Sequence, residues 1–408
     1  MKIVHISNSD IEGGAARAAW RLHQEMMKFG IETYMFVLKQ TIKENTIHTV
    51  SRFDKYILSV LRTSINTIFS RFMNKSEWIF SNDLWGINIS KFRLVKAADT
   101  IIIHWVNGGF MTIKNIEQLL KLKKKTIFVL HDMWALTGGC HYSLECNSYR
   151  EQSCKHCSQV SSTLRKFIIS YFYSKKSTVF HKYNNYSVVA PSVWLKYCAI
   201  STPFFAKGSV HRIANPIDRT IFKKIDKNIT RKILNISKDV KLLLFAADTG
   251  TKNPYKGYKF LEEALLNLNS MNKSKFEFEL LIVGMAKNEE IEKISPYKIH
   301  FTGRLYDEYS LSLVYNASDV FVTPSLADNL PSTVLESIAC GTPAVGFDIG
   351  GIPDMIVHKK NGYLARYKDV NDLLEGILYC CENLTNVSSS SNFETDLIIK
   401  QYLSLILN

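Results

Sequence analysis

The chain has no run of the ~18 apolar residues that a membrane-spanning helix requires. A leader peptide is not legible either: Met1–Ser7 reads as a strand, and Asp10 and Glu12 follow at once. The expectation is a cytoplasmic protein, free or at the inner face of the cytoplasmic membrane. Cysteine is scarce. Eight in 408 residues are too few for a disulfide scaffold, and the cytoplasm would keep most of them reduced. Acidic residues are outnumbered, 37 against 51 basic ones, for a net charge of +14. Such a balance calls for an anionic partner: nucleotide phosphates, nucleic acid or an acidic membrane surface. No tandem repeat occurs at a fixed period. The Gly-x-Gly-x-x-Gly fingerprint of dinucleotide binding is absent.

What is present is a globular composition, 46% hydrophobic and 22% charged, at a length that favours two domains. Apolar runs alternate with helical patterns. Strands are expected at Lys2–Ser7, Glu32–Leu38, Thr100–Val106, Thr126–Leu130 and Ser187–Ala190, the last of the first half. Helices are expected at 14–28, ended by Gly30, and at Ile113–Lys123. The second half repeats the pattern. Strands are expected at Leu242–Ala246, Phe278–Val283, His300–Thr302, Asp319–Thr323 and Ala344–Phe347. Helices fit at Tyr258–Asn267, Ser310–Asn316, Ser332–Cys340, Val370–Asn383 and Thr395–Leu407, and Asn361-Gly362 marks a tight turn. This alternation predicts α/β architecture with two doubly wound parallel sheets facing a cleft. The domains are expected at 1–207 and 208–408, with the last helix docked back on the first. The stretch from Ile47 to Phe92 resists assignment.

The most informative segment runs from Ala327 to Asp354. Asp328 sits in a loop after a strand, and Glu336 follows eight positions later in a helix. Pro331 suits the first helical turn and Gly341 its stop. In a doubly wound fold, loops after the strands form the ligand crevice, so both carboxylates can point into it. A carboxylate accepts two hydroxyl hydrogen bonds at once, which suits sugar and ribose diols. The plain alternative, a capping acid and a solvated helix acid, loses ground to the Gly341-Thr-Pro-Ala-Val and Gly350-Gly351-Ile-Pro-Asp354 segments that follow.

Three further features accompany it. Lys256-Gly257 precedes a helix of the second half, where a lysine beside a helix N-terminus makes an anion site, although a single lysine is more often a surface residue. Gly13-Gly14 opens the first helix and allows a phosphate or an acceptor to approach backbone N–H groups. His131-Asp132-Met133-Trp134 ends a strand, where a histidine can hydrogen-bond a substrate or pack as a structural residue.

Taken together, these residues resemble the retaining glycosyltransferases of family 4, which have the GT-B fold. The family signature is Glu-x7-Glu, then Ala-x-Gly-x-Pro-Val and a Gly-Gly-x-x-Glu/Asp turn. Asp328 stands where the first Glu is usual, one methylene shorter, and Glu336 matches the second. The resemblance implies a nucleotide-diphosphate sugar donor, with Asp328 at the sugar hydroxyls, Glu336 at the ribose, Lys256 at the diphosphate, and Asn329 and Leu330 also in the donor site. The family's usual Arg is replaced by Thr251, with Lys252 next to it as a substitute. Gly13 and Gly14 would lie near the donor phosphates, and His131 would face the sugar. Retention and catalysis without a metal cofactor are implied, and the Asp-x-Asp of metal-dependent enzymes of the other common fold is absent. The acceptor implied is a glycan or lipid-linked chain, in cell-surface polysaccharide synthesis.

Cys140, Cys146, Cys154 and Cys157 fall within 18 residues and end in Cys-x-x-Cys, the density of a structural zinc site, with His141 and His156 as spare ligands. Reduced or redox-active thiols are the alternative. Leu164–Tyr183 interleaves aromatics with Arg165, Lys166, Lys175 and Lys176. It reads as a helix on an anionic membrane, or as one half core and half solvated. Two other function classes stay open: a sugar-nucleotide epimerase of the same fold, and a zinc-containing nucleic-acid binder. The Asp328–Glu336 pattern weighs against the first. The dispersed charge and the lack of a nucleic-acid motif weigh against the second, so no nucleic-acid partner is expected.

Overall fold

The computed structural model describes residues 1–50, 59–73, 79–150, 153–205, 210–247, 253–271, 275–388 and 391–407. The chain divides into two compact units, Met1–Pro216 with Asp396–Asn408, and Ile217–Thr395.

The first unit holds strands β1 (Lys2–Ser9), β2 (Glu32–Lys39), β3 (Ile47–Thr49), β4 (Thr100–Ile103), β5 (Lys125–Val129), β6 (Tyr186–Ala190) and β7 (Val210–Arg212). They form one sheet in the order β3-β2-β1-β4-β5-β6-β7, parallel throughout. Its helices are α1 (Gly14–Lys28), α2 (Ser59–Met73), α3 (Arg93–Ala97), α4 (Ile113–Leu120), α5 (Thr163–Lys182) and α6 (Val193–Ile200). The strands are short and apolar on both faces, as a parallel sheet covered by helices demands. β1 is buried along seven of its eight residues. On α1, Ala19, Leu22 and Met26 recur at helical spacing and are all buried; Ala19 packs with Met35, Val37 and Ile47 of β2 and β3.

The second unit holds β8 (Lys241–Ala246), β9 (Phe278–Val283), β10 (Lys298–Gly303), β11 (Val320–Thr323), β12 (Ala344–Phe347) and β13 (Gly362–Ala365), again parallel, in the order β10-β9-β8-β11-β12-β13. Its helices are α7 (Lys227–Leu234), α8 (Tyr258–Met271), α9 (Glu289–Ile294), α10 (Glu308–Ala317), α11 (Ser332–Ala339) and α12 (Val370–Asn383). A core of Leu243, Phe245, Leu261, Val345, Phe347 and Ile377 joins sheet and helices. The last helix, α13 (Thr395–Leu407), belongs almost entirely to the first unit and buries Ile398, Ile399 and Tyr402.

One expectation changes here and another gains detail. Lys207, the expected boundary, lies outside the described residues. Val210–Arg212 beyond it pairs with β6, so the first sheet gains a seventh strand and the first unit continues to Pro216. The turn expected at Asn361-Gly362 lies at 359–361, with the Lys359 N–H donating to the Gly362 carbonyl at 2.7 Å, and Gly362 also opens β13: its Cβ would run into the Ala344 carbonyl of the neighbouring strand, which only glycine avoids.

Strand order sets where chemistry can occur. In the first sheet the chain winds one way from β1 through β2 and the other way from β1 through β4. In the second, β8 plays the same part between β9 and β11. Ligands of open α/β sheets bind at such switch points, beyond the carboxyl ends of the strands. The loops after β1, β4, β8 and β11 carry Gly13, His104, Lys256 and Asp328.

Candidate functional site

In the second unit, the approach to α8 is a short turn of fixed geometry. Asn253 accepts the N–H of Tyr255 at 3.0 Å, Pro254 starts a single 3-10 turn and Gly257 ends it at φ +66°. A Cβ at Gly257 would collide with the Pro324 carbonyl, so the turn lies flat on the β11–α11 loop. Leu326 N–H donates to the Tyr255 carbonyl at 2.7 Å and joins the two loops. This brings Lys256 to Asp328, 72 positions on: its Nζ donates to Oδ2 at 2.5 Å. The other carboxylate oxygen accepts the Asn329 N–H at 3.1 Å. Gly351 N–H donates to the Asp328 carbonyl at 3.2 Å, and a side chain on Gly350, at φ +60°, would strike that carbonyl. The glycine pair thus backs the Asp328 carbonyl, and a side chain at Gly350 would not fit there.

Glu336 lies inside α11 and is 3% exposed; its Oε2 accepts the Tyr315 hydroxyl at 2.9 Å. A carboxylate can accept several hydrogen bonds, including those of a diol. Asn329 and Leu330 are buried in the same loop. Pro331 is the N-cap of α11, not its first helical residue, and Gly341 follows the helix at φ +87°, as its expected stop. Lys252 lies outside the described residues, so its expected role gains no structural account.

The chain carries a glycosyl transferases group 1 domain. That family, described as "Glycosyl transferases group 1", matches residues 240–383. The group 1 domain therefore covers β8 to α12, including Lys256, Asp328 and Glu336. An uncharacterized glycosyltransferase of Haemophilus influenzae is 24% identical over 314 residues, 75% of this chain and 73% of that protein. The Campylobacter jejuni N,N'-diacetylbacillosaminyl-diphospho-undecaprenol alpha-1,3-N-acetylgalactosaminyltransferase is 30% identical over 191 residues; they span 44% of this chain but only 47% of that protein. Among solved structures, Anabaena HepE in complex with UDP and glucose covers all of both chains at a TM-score of 0.65 and 14% identity. That likeness shows the GT-B fold.

The first unit assembles a different set of groups. Gly13, at φ +90°, is the N-cap of α1; nothing lies within 4 Å of a Cβ built on Gly13 or Gly14. The first turn of α1 carries no acid, so its N–H groups suit an anion. Three imidazoles stand in a row across β1, β4 and β5. His5 Nδ1 is 3.0 Å from His104 Nε2, and His104 Nδ1 is 3.1 Å from His131 Nε2. Ring centroids are 5.3 Å apart at both steps, close to the spacing of adjacent strands. Burial pushes His5 and His104 well below the ordinary histidine pKa, with repulsion from His23 on the one and from His131 and His5 on the other. Burial likewise lowers His131 to about 4, against an opposing pull from Asp132. His104, Trp105, His131 and Asp132 line one small pocket.

Asp132 is the hub beside it. It accepts from Trp134 N–H at 2.8 Å, Trp105 Nε1 at 2.9 Å and His141 Nδ1 at 2.5 Å. Burial alone would raise its pKa, but His141 and these donors hold it below the usual carboxylate value. His141 Nε2 reaches Ser81 Oγ at 2.8 Å. Both ring nitrogens are therefore taken, which corrects the expectation of His141 as a spare metal ligand.

All four clustered cysteines line one small cavity, with Tyr149 and Ile169. Burial raises the Cys140 thiol to about 12. Burial raises the Cys154 and Cys157 thiols too, against opposing pulls from the backbone of Gly138 on the one and of Gln159 and Val160 on the other. Among the described residues, no group of three or more His, Cys, Asp or Glu is arranged to hold a metal ion. Lys176, expected on a basic surface, is fully buried. Its ammonium donates to the carbonyls of Trp134 at 2.6 Å and Thr137 at 2.9 Å and sits over the Trp134 ring. Leu164, Phe167 and Tyr171 of the same helix are exposed, while Ile169, Phe172 and Phe180 are core. No helix among the described residues is long and apolar enough to cross a membrane.

Sequence reading missed His5, His104 and Lys176 as functional candidates. The available signal was a histidine inside or at the end of an apolar strand run, where a polar group has to find a partner.

Proposed function

We propose that this chain is a retaining glycosyltransferase that moves a sugar from a nucleoside-diphosphate donor to a glycan or lipid-linked acceptor, in cell-surface polysaccharide synthesis. The observation that carries the reading is the Lys256–Asp328 pair, set beside buried Glu336 at the switch point of the group 1 domain. Lys256 binds the diphosphate and balances the charge that grows on it as it leaves. Asp328 accepts sugar hydroxyls, with Asn329 and Leu330 shaping the same loop. Glu336 accepts the ribose diol. The open N-terminus of α1 at Gly13 and Gly14 offers N–H groups to phosphate oxygens, and His131 hydrogen-bonds a sugar hydroxyl. The bond from the anomeric carbon to the phosphate oxygen breaks, and its electron pair leaves with the diphosphate. The acceptor oxygen bonds to the same face of that carbon and gives its proton to the departing phosphate oxygen. Lys256 supplies the positive charge this step needs, so no metal cofactor takes part in the proposed reaction. That HepE was solved with UDP and glucose supports a nucleotide-sugar donor.

A thermal-shift screen against UDP, GDP, ADP, CMP and nucleotide sugars tests the reading. Stabilisation by one diphosphate is expected, because a ligand that binds only the folded state raises its stability. No shift at millimolar ligand, with a shift on adding nucleic acid, would favour the binding protein instead.

The four thiols that line one cavity support a structural zinc on Cys140, Cys146, Cys154 and Cys157. Zinc binding would have to draw the sulfurs together and deprotonate them. One zinc per chain by elemental analysis is the expected result; a stable protein with substoichiometric zinc refutes it. The exposed Leu164, Phe167 and Tyr171, flanked by Arg165 and Lys166, support docking on an anionic membrane that carries the acceptor.

A further inference from the structure

The row of three imidazoles carries a proton order as well as a position. Each ring is neutral near pH 7, because burial pushes all three pKa values down. A neutral imidazole has one N–H and one bare nitrogen, so each link needs one ring to donate and the next to accept. Only two orders satisfy both links. In the first, His131 Nε2–H donates to His104 and His104 Nε2–H donates to His5. His5 must then carry its proton on Nε2. In the second, His5 Nδ1–H donates to His104 and His104 Nδ1–H donates to His131. His5 Nε2 is then bare.

The environment of His5 decides between them. Its Nε2 is fully buried and has no hydrogen-bond partner. The neighbouring His23 meets it only edge to face, at 5.7 Å between ring centroids. Both His23 nitrogens are turned elsewhere, to Thr33 Oγ1 and Thr46 Oγ1 at 3.2 Å each. An orphaned buried N–H is rarer in folded proteins than an under-used acceptor. The second order leaves only a bare lone pair in that position.

We propose that His5 and His104 are positioning residues that hold His131 in the neutral tautomer with its proton on Nδ1. His131 Nε2 is then occupied as an acceptor and its Nδ1 carries the proton, so the ring cannot take the acceptor's proton as a base and leaves it to the phosphate. This inference rests on the glycosyltransferase reading only for the identity of the substrate. The tautomer itself follows from the three rings and the lone Nε2 of His5.

Side-chain ¹H–¹⁵N correlation spectra of protein labelled with ¹⁵N-histidine test it. The His131 signals are identified by their loss in His131→Asn. The expected pattern is a protonated Nδ1 and a bare Nε2 at His131, with the same pattern at His104. A proton on His131 Nε2 overturns the proposal. Kinetics with the nucleotide sugar found in the screen supply the second arm. His104→Leu removes the donor to His131 and should lower kcat about tenfold with KM little changed, the effect of one lost orienting hydrogen bond. His104→Asn keeps an N–H where Nδ1–H was and should recover most of that loss. Equal kcat in His104→Leu and wild type also overturns the proposal. If His104→Leu fails to fold, the wild-type spectrum still decides. If no nucleotide sugar is consumed by wild type, the functional reading fails while the spectrum tests the tautomer alone.

Discussion

The two units place polar side chains at equivalent points of two parallel sheets but give them opposite electrical character. In the second unit the groups are charged: Lys256 against Asp328, with Glu336 held by Tyr315. Further back, Asp319 is bound by Lys227 and Arg231. In the first unit the row from His5 to His131 is neutral, stripped of charge by burial. A charged pair can exchange one partner for an anionic ligand at modest cost. A neutral row cannot attract an anion, but it can fix the direction of a hydrogen bond.

The largest effect should come from the charged side. Glu336→Ala leaves both the Tyr315 hydroxyl and the bound diol without an acceptor, and kcat/KM should fall by about 10² or more. Wild-type kinetics in that variant would remove Glu336 from the site. Lys256→Ala should weaken nucleoside-diphosphate binding by about tenfold, the loss of ~1.4 kcal/mol from one charge-assisted contact. Calorimetry reads it directly, and unchanged affinity would place the diphosphate elsewhere.

The neutral side predicts a graded effect, here on stability and not on turnover. His5, His23 and His104 are buried and neutral when folded, with His23 lowered to about 4. In the unfolded chain each takes up a proton near pH 6.5. Below that pH the unfolded state binds more protons, so stability is whole above pH 6.5 and falls as the pH drops toward 4. Each such histidine should contribute a slope of ~1.4 kcal/mol per pH unit while only the unfolded form is protonated. Denaturant titrations at pH 7, 6 and 5 measure it. Replacing His23 by Phe should flatten the slope, and a slope unchanged by that substitution would break the contrast.

The same contrast explains what could be read from the sequence. The charged site is contiguous: Asp328, Glu336 and Gly350 fall within 23 positions, and the strands beside them were legible as apolar runs. The β12 strand and the α12 helix match their expected spans residue for residue. What spacing could not show is that Lys256, 72 positions upstream, would meet Asp328 directly. The neutral row is scattered, with 99 positions between His5 and His104 and 27 between His104 and His131. Only strand order β1-β4-β5 makes them neighbours, and strand order is a product of the whole sheet. Lys176 was misjudged for a related reason. Its neighbours in sequence are basic and aromatic, but its partners are carbonyls of the Trp134–Thr137 loop. The seventh strand, β7, was missed because three residues are too few to show a period.

The helix that closes the chain has a consequence for how the protein is made. Residues 396–408 complete the first unit, although the whole second unit, 217–395, lies between them and the rest of it. During synthesis the inserted unit emerges entire before the first one receives its last helix. The chain ends of the insertion are tied side by side, with Thr395 Oγ1 donating to the Ile217 carbonyl at 3.0 Å and Arg219 paired with Glu394 at 3.5 Å. The second unit is therefore closed at its ends by contacts of its own, without the last helix. The seven-stranded unit, begun first, stays unfinished until Ile398, Ile399 and Tyr402 arrive to be buried.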